Sequence, residues 1–94
     1  MIRFTEHAQD RLNEHRISEE EVFDILREPE RVFLDLKTGR FIVVGRWRDK
    51  YLVVVFESHE EPVVVTVFPT SKINKVLKRV ERGRWIELWK RNTI

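Results

Sequence analysis

The spacing of apolar residues along the chain changes twice. From Thr5 to Pro29 they recur at helical intervals, from Arg31 to Phe68 they crowd into short runs rich in Val, Ile, Phe and Tyr, and from Lys72 the helical interval returns. Ile2 to Phe4 reads as a short edge strand, and Thr5 as the cap of a helix reaching about His15. In that helix Ala8, Leu12 and His15 form the inward stripe, and His7, Arg11 and Glu14 an adjacent one. His7 and Arg11 therefore project together. Ser18 and Glu21 make a capping box ahead of Val22, Phe23, Ile25 and Leu26, and Pro29 stops that second helix.

The middle of the chain predicts four strands, 31–36, 40–48, 51–57 and 63–68, joined by short polar breaks, which is the pattern of an antiparallel meander. On the second of them Phe41, Val43, Gly45 and Trp47 share one face, while Arg40, Ile42, Val44, Arg46 and Arg48 share the other. The third and fourth are apolar on both faces, as suits central strands covered on both sides. After Pro69, Thr70 or Ser71 can cap a third helix carrying Ile73, Val76, Leu77 and Val80 inward. Gly83 stops it, and Trp85, Ile86, Leu88 and Trp89 make a last apolar segment, read as helical because the two tryptophans are four apart. The expected fold is α+β: two N-terminal helices packed on a four-stranded antiparallel meander sheet, followed by a basic C-terminal helical tail, all in one domain spanning 1–94.

Charge sharpens this. The net charge of +2 conceals a tail, residues 72–94, with eight basic residues against Glu81 and Glu87, and a body of net −4. Such a basic end suits a polyanion or an acidic protein, and equally a well-solvated amphipathic helix. The charged fraction of 36%, with a single Met and no Cys, fits a protein from a thermophile. Without cysteine there is no thiolate nucleophile and no thiolate zinc site, and His7, His15 and His59 lack metal-ligand spacing, so neither metal nor cofactor is expected. No apolar run approaches the length of a membrane span or a signal peptide core, which leads us to expect a soluble, cytoplasmic protein.

The succession FTEHAQDRLNEHRIS, EEVFDILREPERV, a Gly-containing turn and VVVTVFPTSK resembles the domain-of-unknown-function family 4258. The features carrying the likeness are His7, Ala8 and Arg11; Arg16, Ile17 and Ser18; Pro29; and Thr66 with Phe68. The likeness covers residues 4 to about 70 and leaves the tail, 71–94, outside. That family is in turn similar to compact metal-independent ribonuclease folds of the barnase, EndoU, colicin and RelE kind, which include toxins of the RelE and ParE type. The resemblance implies a small toxin-like protein that binds RNA and is neutralised by an antitoxin or another protein partner.

Metal-free RNA cleavage needs proton-transfer groups and cations that hold the phosphate as charge develops. Histidine and arginine supply these. On this reading His7 is the acid or base and Arg11 the phosphate clamp, with Arg16, Arg46, Arg48, Thr66 and Lys72 as further phosphate-binding residues. Each has a plainer alternative. His7 can pack at a helix start, Arg11 can pair with Asp10 or Glu14, Arg16 can close the first helix, and Thr66 can be a satisfied buried hydroxyl between valines. Trp85 and Trp89 read as core or partner anchors rather than base-stacking platforms. The competing class of function is a non-enzymatic interaction module that uses the sheet face, or the tryptophan-bearing tail, to hold a protein or nucleic acid.

Overall fold

A computed structural model describes residues 2–92. Met1, Thr93 and Ile94, which the sequence reading places inside the single domain and its tail, lie outside the described residues. The elements follow in the order β1 (Arg3–Phe4), α1 (Glu6–His15), α2 (Glu19–Arg27), β2 (Arg31–Asp35), β3 (Phe41–Trp47), β4 (Lys50–Glu57), β5 (Val63–Thr70), α3 (Ile73–Glu81) and β6 (Trp85–Lys90). The strands form one sheet in the order β1-β5-β4-β3-β2-β6, antiparallel except for the β1–β5 pair.

Local signals set the helix starts. The Thr5 hydroxyl accepts the Ala8 N–H at 3.0 Å, and Ser18 and Glu21 complete a reciprocal capping box. α3 begins differently: Lys72 occupies the cap position without a side-chain cap, while β5 continues through Pro69 and Thr70. A proline is tolerated in β5 because β1 covers only Val63 and Val64, leaving the rest of that edge without a strand partner among the described residues.

The expected meander is present as β2 to β5, but β1 and β6 extend it on either side, so the four-stranded sheet becomes six-stranded. The tail is half helix and half strand. Gly83, at φ +72°, turns the chain back after α3, and β6 then pairs antiparallel with β2 from Asp35–Trp85 to Arg31–Lys90. The two tryptophans mislead because four residues is close to one helical turn and also two full strand repeats. A bulge then separates them. Val32 faces Trp89 while Phe33 faces Glu87, so Leu88 is the extra residue; Trp85 is buried and Trp89 is exposed.

The sheet is covered on both faces, as the fully apolar β4 and β5 predict. α1 and α2 pack on one side over Ala8, Leu12, Val22, Ile25, Leu52, Val54, Val64 and Val67. α3 packs on the other, with Val76 joining Phe33, Ile42, Val44, Val53 and Trp85. α2 approaches β3 so closely that a Cβ on Gly45 would lie 2.7 Å from Ile25 Cδ1. Space, and not backbone conformation, favours glycine there.

Candidate functional site

The start of α1 is tied to β5. The Thr5 N–H donates to the Val64 carbonyl at 3.0 Å, and the Thr5 hydroxyl donates to the Val65 carbonyl at 3.2 Å. β5 carries a bulge here, because Phe56 pairs with Val64 and Val55 with Thr66, leaving Val65 unpaired. Strict alternation would put Val64 and Thr66 on the same face. The bulge instead lets Val64 and Val67 both enter the core beneath α1, and turns Thr66 towards the α3 side with Val55 and Phe68. At the open β5 edge its hydroxyl oxygen lies 3.3 Å from Nε2 of His7, which α1 carries. His7 is exposed, so this imidazole stands on open surface against a neutral hydroxyl.

Arg11 follows His7 by one turn, and its guanidinium rests on Glu14 at 2.8 Å. Both side chains are well exposed, and such a pair contributes about 0–1 kcal/mol, so a phosphate can displace the carboxylate at small cost. Thr66 is half-buried rather than sealed in the core.

The remaining cations are dispersed. Arg46 does lie on the α3 side with Ile42 and Val44, its guanidinium 5.7 Å from the centre of the Tyr51 ring. Arg48 leaves that face, because φ +55° at this turn residue breaks the strand alternation. It stacks over Trp47 at 4.1 Å, donates to the Arg16 carbonyl at 3.1 Å and pairs with Glu21 at 3.4 Å. Arg16 itself closes α1 at φ 55°, the structural role that the sequence left open for it. Lys72 is exposed at the start of α3, where its N–H donates to the Thr70 hydroxyl at 3.0 Å. His7 and Thr66 thus meet, Arg48 meets the Arg16 carbonyl elsewhere, and Arg46 and Lys72 lie apart from both, on the α3 side of the sheet and at the start of α3.

Glu21 is a joint that the sequence shows only as a cap. Its carboxylate accepts the Ser18 N–H at 3.0 Å and the Trp47 indole N–H at 2.6 Å. The Ser18 backbone first, then Trp47, the Ser18 hydroxyl and Arg48, hold it below the usual carboxylate value against the opposing effect of burial. Asp35 closes the β2–β3 turn. Burial pushes its carboxyl up, but the N–H groups of Lys37 and Thr38 and the Arg84 guanidinium outweigh that and leave it lowered. The Trp85 indole N–H lies beside Asp35 without a hydrogen bond of normal length. Arg31 and Glu87 clamp β6 to β2 through two hydrogen bonds of 2.5 and 2.9 Å, raising the arginine and lowering the carboxylate. These are structural fixtures that sit away from His7.

Fold and site together define a small three-layer α+β domain with an exposed His–Thr pair at a bulged strand. The family model described as a domain of unknown function (DUF4258) matches residues 4–69, and the chain belongs to that family. The match ends at the penultimate residue of β5, so α3 and β6 lie beyond it. No curated protein and no solved structure matches the chain. Among the described residues no helix is long and apolar enough to cross a membrane.

Proposed function

We propose that the protein binds RNA at the open β5 edge, where α1 meets it, and cuts it without a metal ion. The observation that carries this reading is the exposed His7 imidazole set against the Thr66 hydroxyl by the bulge in β5, with Arg11 one turn away. The likeness of the family to compact ribonuclease folds and to RelE- and ParE-type toxins points the same way. In the reaction His7 takes the proton of a ribose 2′-hydroxyl, and that oxygen attacks the adjacent phosphorus. The bond from phosphorus to the 5′-oxygen breaks, solvent returns a proton to that oxygen, and a 2′,3′-cyclic phosphate and a 5′-hydroxyl result. Arg11 leaves Glu14 and holds the non-bridging oxygens as charge develops on them. Thr66 orients the imidazole or the phosphate, and Arg46 stands ready for a neighbouring phosphate. Arg48, held by Glu21 and the Arg16 carbonyl, takes no part in the chemistry, and Arg16 serves to close α1.

The test is RNA cleavage at elevated temperature in the presence of EDTA, comparing wild type with His7→Ala and Arg11→Ala. Each substitution should slow cleavage by roughly 10²-fold or more. Full activity in His7→Ala removes the mechanism.

A second reading, an interaction module, is favoured by one observation. Leu36, Ile86, Leu88 and Trp89 are 42–56% exposed at or beside the free edge of β6. Ile86 also begins a cross-strand row through Leu34 and Phe41 to Phe56. A protein strand added to β6 would cover these side chains. Absence of cleavage by folded wild type, with capture of a partner protein lost in Ile86→Ser, would give the molecule to this reading.

A further inference from the structure

The arginines of this protein are mostly neutralised in place. Arg11, Arg27, Arg31, Arg40, Arg48, Arg84 and Arg91 each hold a carboxylate within 3.6 Å. The segment from Lys72 to Arg82 is different. Lys72, Lys75, Lys78, Arg79 and Arg82 are all exposed, and among the described residues none of the five pairs with a carboxylate. Glu81 is the sole acidic residue in that stretch. The cations recur at helical spacing, about one per 5.4 Å turn, and extend over about 15 Å at 1.5 Å per residue.

We propose that this stripe of α3 is a track for the sugar–phosphate backbone of RNA held at the His7 site. The proposal rests on the RNA reading and adds a second contact surface to it. Two observations place the track. α3 packs on the side of the sheet to which the bulge turns Thr66, opposite α1, and β5 leads into α3 through Thr70 and Lys72, so a strand held at His7 reaches the stripe by crossing the open β5 edge. A third decides what the track holds. The apolar residues of α3, Ile73, Val76, Leu77 and Val80, are committed to the core against Phe33, Val44 and Trp85, which leaves the helix no apolar face to insert into a lipid surface. Its outward face offers cations and no aromatic ring, since residues 72–82 contain none. Contacts of this kind engage phosphates without reading bases. They set affinity and salt dependence, and leave the chemistry to His7.

The experiment is equilibrium binding of a fluorescent single-stranded RNA, 2′-O-methylated so that the His7 reaction cannot cut it, over a range of salt concentrations. It compares wild type, His7→Ala and the triple variant Lys75→Gln, Lys78→Gln, Arg82→Gln, with circular dichroism as the check on folding. Arg79 is left intact because it packs on Trp85. Each lost phosphate contact lowers the slope of log affinity against log salt by about 0.7, so the triple variant should lose about 2 in slope and bind at least roughly tenfold more weakly at low salt. His7→Ala should keep the wild-type slope. If wild type binds and the folded triple variant keeps its slope, the track is refuted while the RNA reading stands. If wild type does not bind RNA, or binds anionic phosphatidylserine vesicles in its place, both are refuted.

Discussion

Gly45 offers the sharpest check on how the helices sit over the sheet. An added Cβ would lie 2.7 Å from Ile25 Cδ1 and 3.0 Å from Ile25 Cγ2. The backbone at Gly45 is ordinary strand, so alanine should by itself gain about 0.5–1 kcal/mol by restricting the unfolded chain. Against this stands overpacking, commonly about 1–3 kcal/mol where a buried neighbour cannot move. Ile25 is buried and β-branched on α2: its Cδ1 can swing, but its Cγ2 is fixed to a stiff χ1, so much of the penalty survives. The net expectation for Gly45→Ala is a loss of about 1–2 kcal/mol, or roughly 4–16 °C in Tm for a chain of this size. Ile25→Ala removes both Cγ2 and Cδ1, and in that background Gly45→Ala should cost about 1 kcal/mol less. Thermal and urea unfolding of the four proteins in the cycle measures this coupling. Additive effects, or a stabilised Gly45→Ala single variant, would refute the claimed approach of α2 to β3.

Three further outcomes follow from the same geometry. Glu21 has a folded-state pKa below its ordinary 4.5, so it stabilises the fold above that value and its contribution is lost as pH falls through the lowered one; urea unfolding should show Glu21→Gln less stable than wild type at pH 7, with the gap narrowing towards pH 3. Ser18→Ala removes the hydroxyl arm of the capping box, leaving the backbone N–H at position 18 on Glu21, and should cost about 1 kcal/mol in the same assay. Trp85→Ala empties the core beneath α3 and should cost about 3–5 kcal/mol, whereas Trp85→Phe keeps a ring against Phe33 and removes an unpaired N–H, so a loss near 1 kcal/mol in thermal unfolding is expected.

Features that depend on neighbours in sequence were legible. Thr5, Ser18 with Glu21, and Pro29 fix the helix boundaries through contacts within four residues, and the doubly apolar β4 and β5 announce a sheet covered on both sides. Features that depend on distant partners were not. β6 belongs to the sheet because Arg31 grips Glu87, 56 residues away, and because β2 presents a free edge. Nothing inside WIELWK encodes either fact, and its two tryptophans satisfy the helical and the strand repeat alike. Arg48 escapes its expected face for a related reason: the strand period holds only while φ stays negative, and Arg48 adopts +55°.

The site carries the same lesson in a form that matters for function. His7 and Thr66 are 59 residues apart, and each alone reads as an ordinary cap neighbour or core hydroxyl. What joins them is Val65. In the run VVVTVF both faces are apolar, so no hydrophobic pattern can say which residue a bulge will absorb. The choice is made by tertiary anchoring, since the Thr5 backbone and hydroxyl hold the carbonyls of Val64 and Val65 at the start of α1. The residue that caps α1 therefore also helps fix the bulge that turns Thr66 towards the helix's own histidine. A threonine at that cap does more than an aspartate could: both accept the Ala8 N–H, but only the hydroxyl can also donate to Val65. Cap, bulge and imidazole form one unit, and Thr66 is left half-buried at the open edge of β5 because β1 ends its pairing at Val64.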